Sequence, residues 1–269
     1  MKSFLYLWLF ITVSFYSLSV DNLRAFDIRA LSLGGQGVTQ STLFNPALLT
    51  LSTSKQIYVG YLNRYGLKEL GTIGLGFTFP NSILPAGFHL SSFGYDAYRT
   101  TMFRLSIGKS LNEQWKIGVA FQAAFLQTEL MEEAPKQFST DIGVLYLPVE
   151  NLLIGLLIMN FPTFSVHKQS NDSQSIMDYT AQIGFQWKVI NNLLMIGTLE
   201  NNKAHLLIGN IGIEYTLFDN FFIRTGIQTA PLLPSFGIGY RLSAFTCHVA
   251  TRIHPLLGAS LGIGLSYSF

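Results

Sequence analysis

The chain has 269 residues, of which 49% are hydrophobic, 14% are aromatic and 12% are charged. Soluble domains carry about 25% charged residues, so half of the usual surface charge is missing. The net charge is +2 and no run of five basic residues occurs, which excludes a nucleic-acid-binding protein. Mean hydropathy is +0.34, yet beyond the first segment no stretch approaches the roughly 18–20 apolar residues of a membrane-spanning helix.

The first segment resembles an export signal. Met1 and Lys2 form a charged start, and an apolar run follows over residues 4–13. The small residues around Ser17 and Ser19 suit cleavage by a signal peptidase. We predict a signal peptide over residues 1–19, with cleavage as late as residue 25. The alternative is an uncleaved anchor helix.

Residues 26–52 contain too much glycine and proline for the strand pattern that follows. Two motifs stand out, Leu31-Ser-Leu-Gly-Gly-Gln-Gly37 and Phe44-Asn-Pro-Ala47. We predict a short helix or coil that precedes a barrel and is small enough to enter it. The glycine group is not a phosphate loop, because no strand precedes it and no lysine follows at the required spacing.

Residues 53–269 divide into segments that alternate apolar and polar side chains, separated by turn residues. The predicted strands lie at about 55–64, 70–79, 85–94, 98–109, 114–128, 137–147, 152–161, 177–188, 192–200, 204–217, 221–229, 235–242, 245–253 and 257–269. Most of them reach the roughly 9–11 residues that a barrel strand needs to cross a bilayer. In the fifth, Trp115 and Ile117 alternate with Lys116 and Gly118, so lipid-facing and lumen-facing positions separate cleanly.

The connections also alternate in length. Counted back from the last residue, every second connection is tight, including those at Ser243 and at residues 218–220. The two longest, 129–136 and 162–177, lie between the tight ones. Short turns at one end and longer loops at the other are typical of outer-membrane barrels.

The last strand has the clearest pattern. Leu261, Ile263 and Leu265 share one face, and glycine and serine occupy the other. The same apolar face ends on Tyr267 and Phe269, which we predict to be the membrane-insertion signal. The sequence therefore predicts an all-β fold, a transmembrane antiparallel β-barrel of about 14 strands with an N-terminal hatch or plug segment. A secreted β-sandwich is the soluble alternative.

Charged side chains gather on the predicted inner face. By alternation, six residues point into the lumen: Arg104, Glu214, Arg224, Arg241, His248 and Arg252. One hypothesis is that they contact a carboxylate headgroup or an anionic solute. The other is that ion pairs around Glu214 brace the barrel and order the N-terminal segment, because unpaired buried charges are costly. Asp27 is a candidate acidic partner.

No catalytic or metal site is predicted. His205, His248 and His254 lack metal-ligand spacing, and no nucleophile with a base is recognisable. The single cysteine, Cys247, has no partner for an internal disulfide and is predicted to be a small lipid-facing residue. We expect neither an enzyme nor a cofactor.

The two N-terminal motifs resemble the signature of the PorV/PorQ-like branch of the FadL-type outer-membrane proteins. Further similarities lie in Asp141-Ile-Gly-Val-Leu-Tyr146, Ser235-Phe-Gly-Ile-Gly-Tyr240 and His254-Pro-Leu-Leu-Gly258. The resemblance implies a fourteen-stranded barrel in the bacterial outer membrane whose N-terminal segment folds inward. The hatch residues would be Gly34, Gly35, Gly37, Asn45, Pro46 and Ala47. A gating role for Asn45-Pro46-Ala47 is one interpretation, and a capped turn is the other.

The resemblance implies two functions. FadL-type proteins pass hydrophobic compounds across the outer membrane, whereas PorV-like proteins serve type IX secretion as non-conducting scaffolds or shuttles. The expected partners are outer-membrane lipid and the barrel-assembly machinery. Transport would add a hydrophobic small molecule to these partners, and a role in secretion would add a secretion-system protein.

Overall fold

A computed structural model of the protein describes residues 26–35, 37–129, 135–166, 176–202 and 207–269. The predicted signal peptide lies outside these ranges. The described residues contain one short α-helix, two 3₁₀ helices and fifteen strands. Their bounds are α1 Ile28–Ser32, 3₁₀ helices Pro46–Leu51 and Lys68–Leu70, β1 Gln56–Asn63, β2 Gly71–Phe79, β3 Ala86–Tyr95, β4 Tyr98–Ser110, β5 Trp115–Thr128, β6 Lys136–Val149, β7 Leu152–Met159, β8 Thr163–Val166, β9 Thr180–Ile190, β10 Leu193–Asn202, β11 Leu207–Leu217, β12 Phe221–Gln228, β13 Leu233–Leu242, β14 Phe245–His254 and β15 Gly258–Ser268. No helix in these ranges has the length and apolar character needed to cross a membrane.

Fourteen of the strands form a closed antiparallel barrel, and β8 is an additional strand paired with β6. Neighbours in the barrel are neighbours in sequence, except that β7 pairs with β9. The first and last strands close the ring, with Gln56 opposite Ser268 and Asn63 opposite Leu261. Closure gives each strand of the ring a neighbour on both sides, which a membrane requires. The prediction of an antiparallel barrel of about 14 strands is confirmed.

The two faces of the wall differ as the alternation predicts. On β15, Leu261 and Ile263 are 59% and 62% exposed, whereas Ser260 and Ser266, which lie on the alternate face of the strand, are buried in the lumen. Other strands repeat this pattern, so the outside of the barrel is apolar over its height. Such a surface is stable against acyl chains and unstable in water.

The two ends of the barrel are distinguished by their connections. The end that carries Phe269, here called the turn end, has brief connections at residues 243–244, 218–220 and 150–151. The opposite end, here called the loop end, carries the longer connections after β5 and β8, parts of which lie outside the described residues. Tyr267 and Phe269 lie on the outer surface at the turn end, with ring centroids 5.5 Å apart.

β8 was not predicted, because residues 162–177 read as a loop. β7 ends at Met159, and Asn160 then adopts a positive φ of 58°. The start of β6 extends beyond that point, and without a further partner its backbone groups on this side would be unpaired. Residues Thr163–Val166 pair with this edge, from Ser139 to Lys136. The short strand therefore covers an edge that β7 leaves open.

Residues 26–35 and 37–52, here called the inner segment, lie inside the barrel. The Asp27 carboxylate caps α1 by accepting hydrogen bonds from the backbone N–H groups of Arg29 and Ala30. α1 packs against β12–β15, and the first 3₁₀ helix packs against β3–β6. The hydrophobic core lies between the inner segment and the wall, and includes Ile28, Val38 and Phe44.

Candidate functional site

The Asn45-Pro46-Ala47 turn of the inner segment packs closely against the barrel wall. Asn45 is fully buried and caps the 3₁₀ helix, because its side-chain oxygen accepts from Ala47 N–H at 3.0 Å. Its side-chain nitrogen donates to the carbonyl of Val38 at 2.9 Å. The wall meets this turn with Gly118 and Gly143, where an added Cβ would overlap the backbone of Pro46 and Ala47 or the Asn45 side chain. These two glycines are needed for the close approach.

The predicted hatch glycines lie beside the opposite wall. Gly34 and Gly35 both have φ of +95°, a conformation that favours glycine. Gly34 N–H donates to the Ser235 hydroxyl at 3.1 Å, and the Arg252 guanidinium occupies the space where a Cβ of Gly35 would stand. Gly37 lies directly against the Phe44 ring. The glycines thus let the segment turn within contact distance of the wall.

An ionic cluster joins α1 to the wall. Arg29 donates from Nε and Nη2 to the two carboxylate oxygens of Glu214, both at 2.9 Å. Arg224, on the neighbouring strand, donates from Nε to the same carboxylate. Arg224 also lies 3.2 Å from Nδ1 of His248. Glu214 is therefore shared between a cation of the inner segment and a cation of the barrel.

Arg29 remains charged in this position. Burial by itself lowers the pKa of the Arg29 guanidinium, but the Glu214 carboxylate more than offsets this effect, and the pKa stays above its usual value. Arg29 is therefore a permanent cation of the inner segment.

The ionic cluster borders a cavity of about 270 Å³ between the inner segment and the turn end of the barrel. Its ionisable lining consists of Asp27, Arg29, Glu214, Arg224, Arg241 and His248. Among the described residues that line it, Leu43 and Phe222 supply the only purely hydrocarbon side chains. The cavity is thus a polar compartment inside an apolar shell.

Arg104 belongs to a second network, closer to the loop end. It is fully buried and forms an ion pair with the equally buried Asp141. Its Nη2 also donates to the carbonyl of Phe44 at 2.6 Å. Asp141 accepts further hydrogen bonds from the Gln122 side chain and from Asn160 N–H, both at 2.7 Å. This network fixes the inner segment beside the Asn45 turn.

The six predicted lumen charges therefore occupy three places. Glu214, Arg224, Arg241 and His248 meet at the cavity, Arg252 lies against Gly35, and Arg104 pairs with Asp141. Asp27 caps α1 rather than pairing with a wall cation in the described contacts. The partners Arg29 and Asp141 were missed. Asp141 follows Ser139 on the inner face of β6, so alternation alone places it in the lumen.

Within the described ranges, no three His, Cys, Asp or Glu side chains lie close enough together to hold a metal ion. The thiol of Cys247 lies on the exposed outer face of β14.

Comparison of the whole structure identifies proteins of similar fold. The CymD monoaromatic hydrocarbon channel superposes with a TM-score of 0.69 and 12% identity, over 92% of this chain and 98% of the channel. The Pseudomonas putida toluene transporter TodX gives a TM-score of 0.66 and 11% identity, over 92% and 98% of the two chains. A Pseudomonas aeruginosa FadL homologue gives 0.53 and 9%, over 84% and 93%.

The barrel has the fold of FadL-type outer-membrane channels. At this level of identity the likeness concerns the fold, and it does not distinguish the PorV/PorQ branch from other branches. No protein-family model matches the sequence, and no curated protein matches it.

Proposed function

We propose that the protein resides in the bacterial outer membrane and passes small hydrophobic compounds through the barrel when the inner segment moves. The apolar outer surface supports the location. The proteins of similar fold, which are described as hydrocarbon channels and a toluene transporter, support the compound class.

One observation carries the proposal of a movable segment. The inner segment contacts the wall through side chains, caps and turns, and forms no part of the β-ladder. The ring of fourteen strands is complete without it. Displacement of the segment therefore opens the lumen while every backbone pair of the wall is kept. In a membrane, an unpaired strand edge costs much free energy. Displacement of the inner segment opens a path without that cost.

A reversible crosslink tests the proposal. The hydroxyls of Thr42 and Thr78 lie 3.3 Å apart, between the inner segment and β2. The variant Thr42→Cys/Thr78→Cys, in a Cys247→Ser background, places two thiols where a disulfide can form. Uptake of labelled toluene is then measured in bacterial cells that lack their own hydrocarbon channel.

We expect the background variant to accelerate toluene uptake over cells without the protein. The oxidised double variant should lose that gain and recover it on reduction. The single variant Thr42→Cys is the matched control and should respond to neither treatment. Uptake that is equal with and without the protein would refute transport of hydrophobic compounds.

The alternative is a non-conducting scaffold of a PorV-like type IX secretion or surface-assembly system. It is favoured by the depth at which the inner segment is held, since Ile28, Asn45 and Ala47 are fully buried. A scaffold needs a plugged barrel. It predicts that the oxidised and reduced double variants capture the same secretion component and that neither admits toluene.

A further inference from the structure

We infer that the cavity at the turn end is a binding site for a small hydrophilic carboxylate, such as a hydroxycarboxylate or a sugar acid. The site lies in the lumen between the inner segment and the wall, and the inference does not depend on the transport function proposed above.

The first argument is the charge balance of the cavity. Three guanidinium groups, those of Arg29, Arg224 and Arg241, face two carboxylates, those of Asp27 and Glu214. Both oxygens of Glu214 are taken by Arg29 and Arg224, and an oxygen of Asp27 caps α1. The cavity therefore carries an excess positive charge.

Arg241, an exposed residue near the end of β13 that also lines the cavity, holds this excess. Among the described residues, its guanidinium forms no ion pair with a carboxylate. It lies over the Phe222 ring at 5.2 Å from the centroid, and the guanidinium of Arg224 lies 5.1 Å from the same centroid. The Glu214 carboxylate already pairs with Arg224, so the guanidinium left to attract an added anion is that of Arg241. A carboxylate matches the planar fork of a guanidinium.

The other residues that line the cavity indicate the chemistry of the rest of the ligand. The hydroxyls of Thr246 and Ser266 line the cavity and are directly opposite each other on β14 and β15. A hydrocarbon tail would leave these groups without partners, which is costly. A ligand with its own hydroxyls satisfies them. The volume of about 270 Å³ is at the small end for ligand pockets and excludes a long acyl chain.

Calorimetric titration of the full-length protein in detergent, at low ionic strength, tests the inference. The probe is sodium D-gluconate, compared with sorbitol, which lacks the carboxylate, and with hexanoate, which lacks the hydroxyls. We expect gluconate to bind about tenfold more tightly than either, since each comparison removes charge-assisted or hydroxyl hydrogen bonds.

The variant Arg241→Gln should lower the affinity for gluconate about tenfold or more. The matched control is Arg99→Gln, which also removes one positive charge. Arg99 forms an exposed ion pair with Asp96 in the β3–β4 connection, and this variant should bind gluconate as the parent protein does. Thr246→Val keeps every charge, and should reduce the preference for gluconate over hexanoate even if Arg241→Gln fails to fold. The inference is overturned if gluconate binds no more tightly than sorbitol or hexanoate, or if folded Arg241→Gln binds it unchanged.

Discussion

Arg29 of the inner segment holds both carboxylate oxygens of Glu214 on β11, at 2.9 Å each. The pair joins residues that are 185 positions apart in the chain. It connects α1 to the wall at a point where Arg224 makes a second ion pair with the same carboxylate. The opposite end of the inner segment is held by close packing of the Asn45 turn on wall glycines and by a hydrogen bond from Arg104 to the carbonyl of Phe44.

The substitution Glu214→Gln should loosen α1. It leaves Arg29 and Arg224 without their shared anion, and we expect a loss of about 1.5–3 kcal/mol in the attachment of α1 to the wall. The measurement is hydrogen exchange of residues 26–35, which should become faster. Glu113→Gln, which changes an exposed carboxylate in the β4–β5 connection, is the control and should leave this exchange unchanged. Equal exchange in both variants would contradict a role for the ion pair.

The substitution Gly118→Ala should displace the other end of the inner segment. The new Cβ would overlap the backbone of Pro46 and Ala47, and such overpacking costs about 1–3 kcal/mol. Residues 45–51 should lose protection from hydrogen exchange while the barrel stays folded. Gly209→Ala is the control, because its Cβ would meet nothing closer than 3.4 Å. If both alanines have the same effect, close packing at Gly118 is not what holds the turn.

The substitution Asp141→Asn should destabilise the whole barrel. Arg104 and Asp141 are both fully buried, so removal of the anion leaves an unpaired charge inside, at a cost of about 3–5 kcal/mol. Urea unfolding in lipid vesicles measures this loss. Asp96→Asn breaks an exposed ion pair instead, and the midpoint of its unfolding curve should not move. A similar midpoint for both variants would show that the buried pair adds nothing.

The substitution Phe269→Ala should slow insertion without changing the final fold. The backbone of Phe269 pairs with Lys55 in both directions, at 3.1 and 2.9 Å, and alanine keeps these hydrogen bonds. The lost ring stacks on Tyr267 at the outer surface. We expect slower appearance of folded protein in membranes, followed by gel mobility without heating. The control Phe245→Ala removes another exposed ring beside Tyr267. If Phe245→Ala delays folding as much as Phe269→Ala does, the last residue is not a specific insertion signal.

Much of the barrel could be predicted because the side-chain period of a strand is a local property. Leu261 and Ile263 face outward, and Ser260 and Ser266 inward, for reasons that lie within β15 itself. β8 could not be predicted in this way. Four residues carry little periodicity, and the strand exists because β6 extends past the end of β7.

The amino-acid sequence by itself determined the alternation of the strands, the length of the connections and the inward position of the charges. The tertiary structure alone decided which charges meet. The register of β4, β5 and β6 brings Arg104 to Asp141, and the path of the inner segment brings Arg29 to Glu214. The reason is physical: a residue's face is set by its own strand, whereas an ion pair depends on the register of neighbouring strands and on the fit of a separate segment against glycine-lined walls.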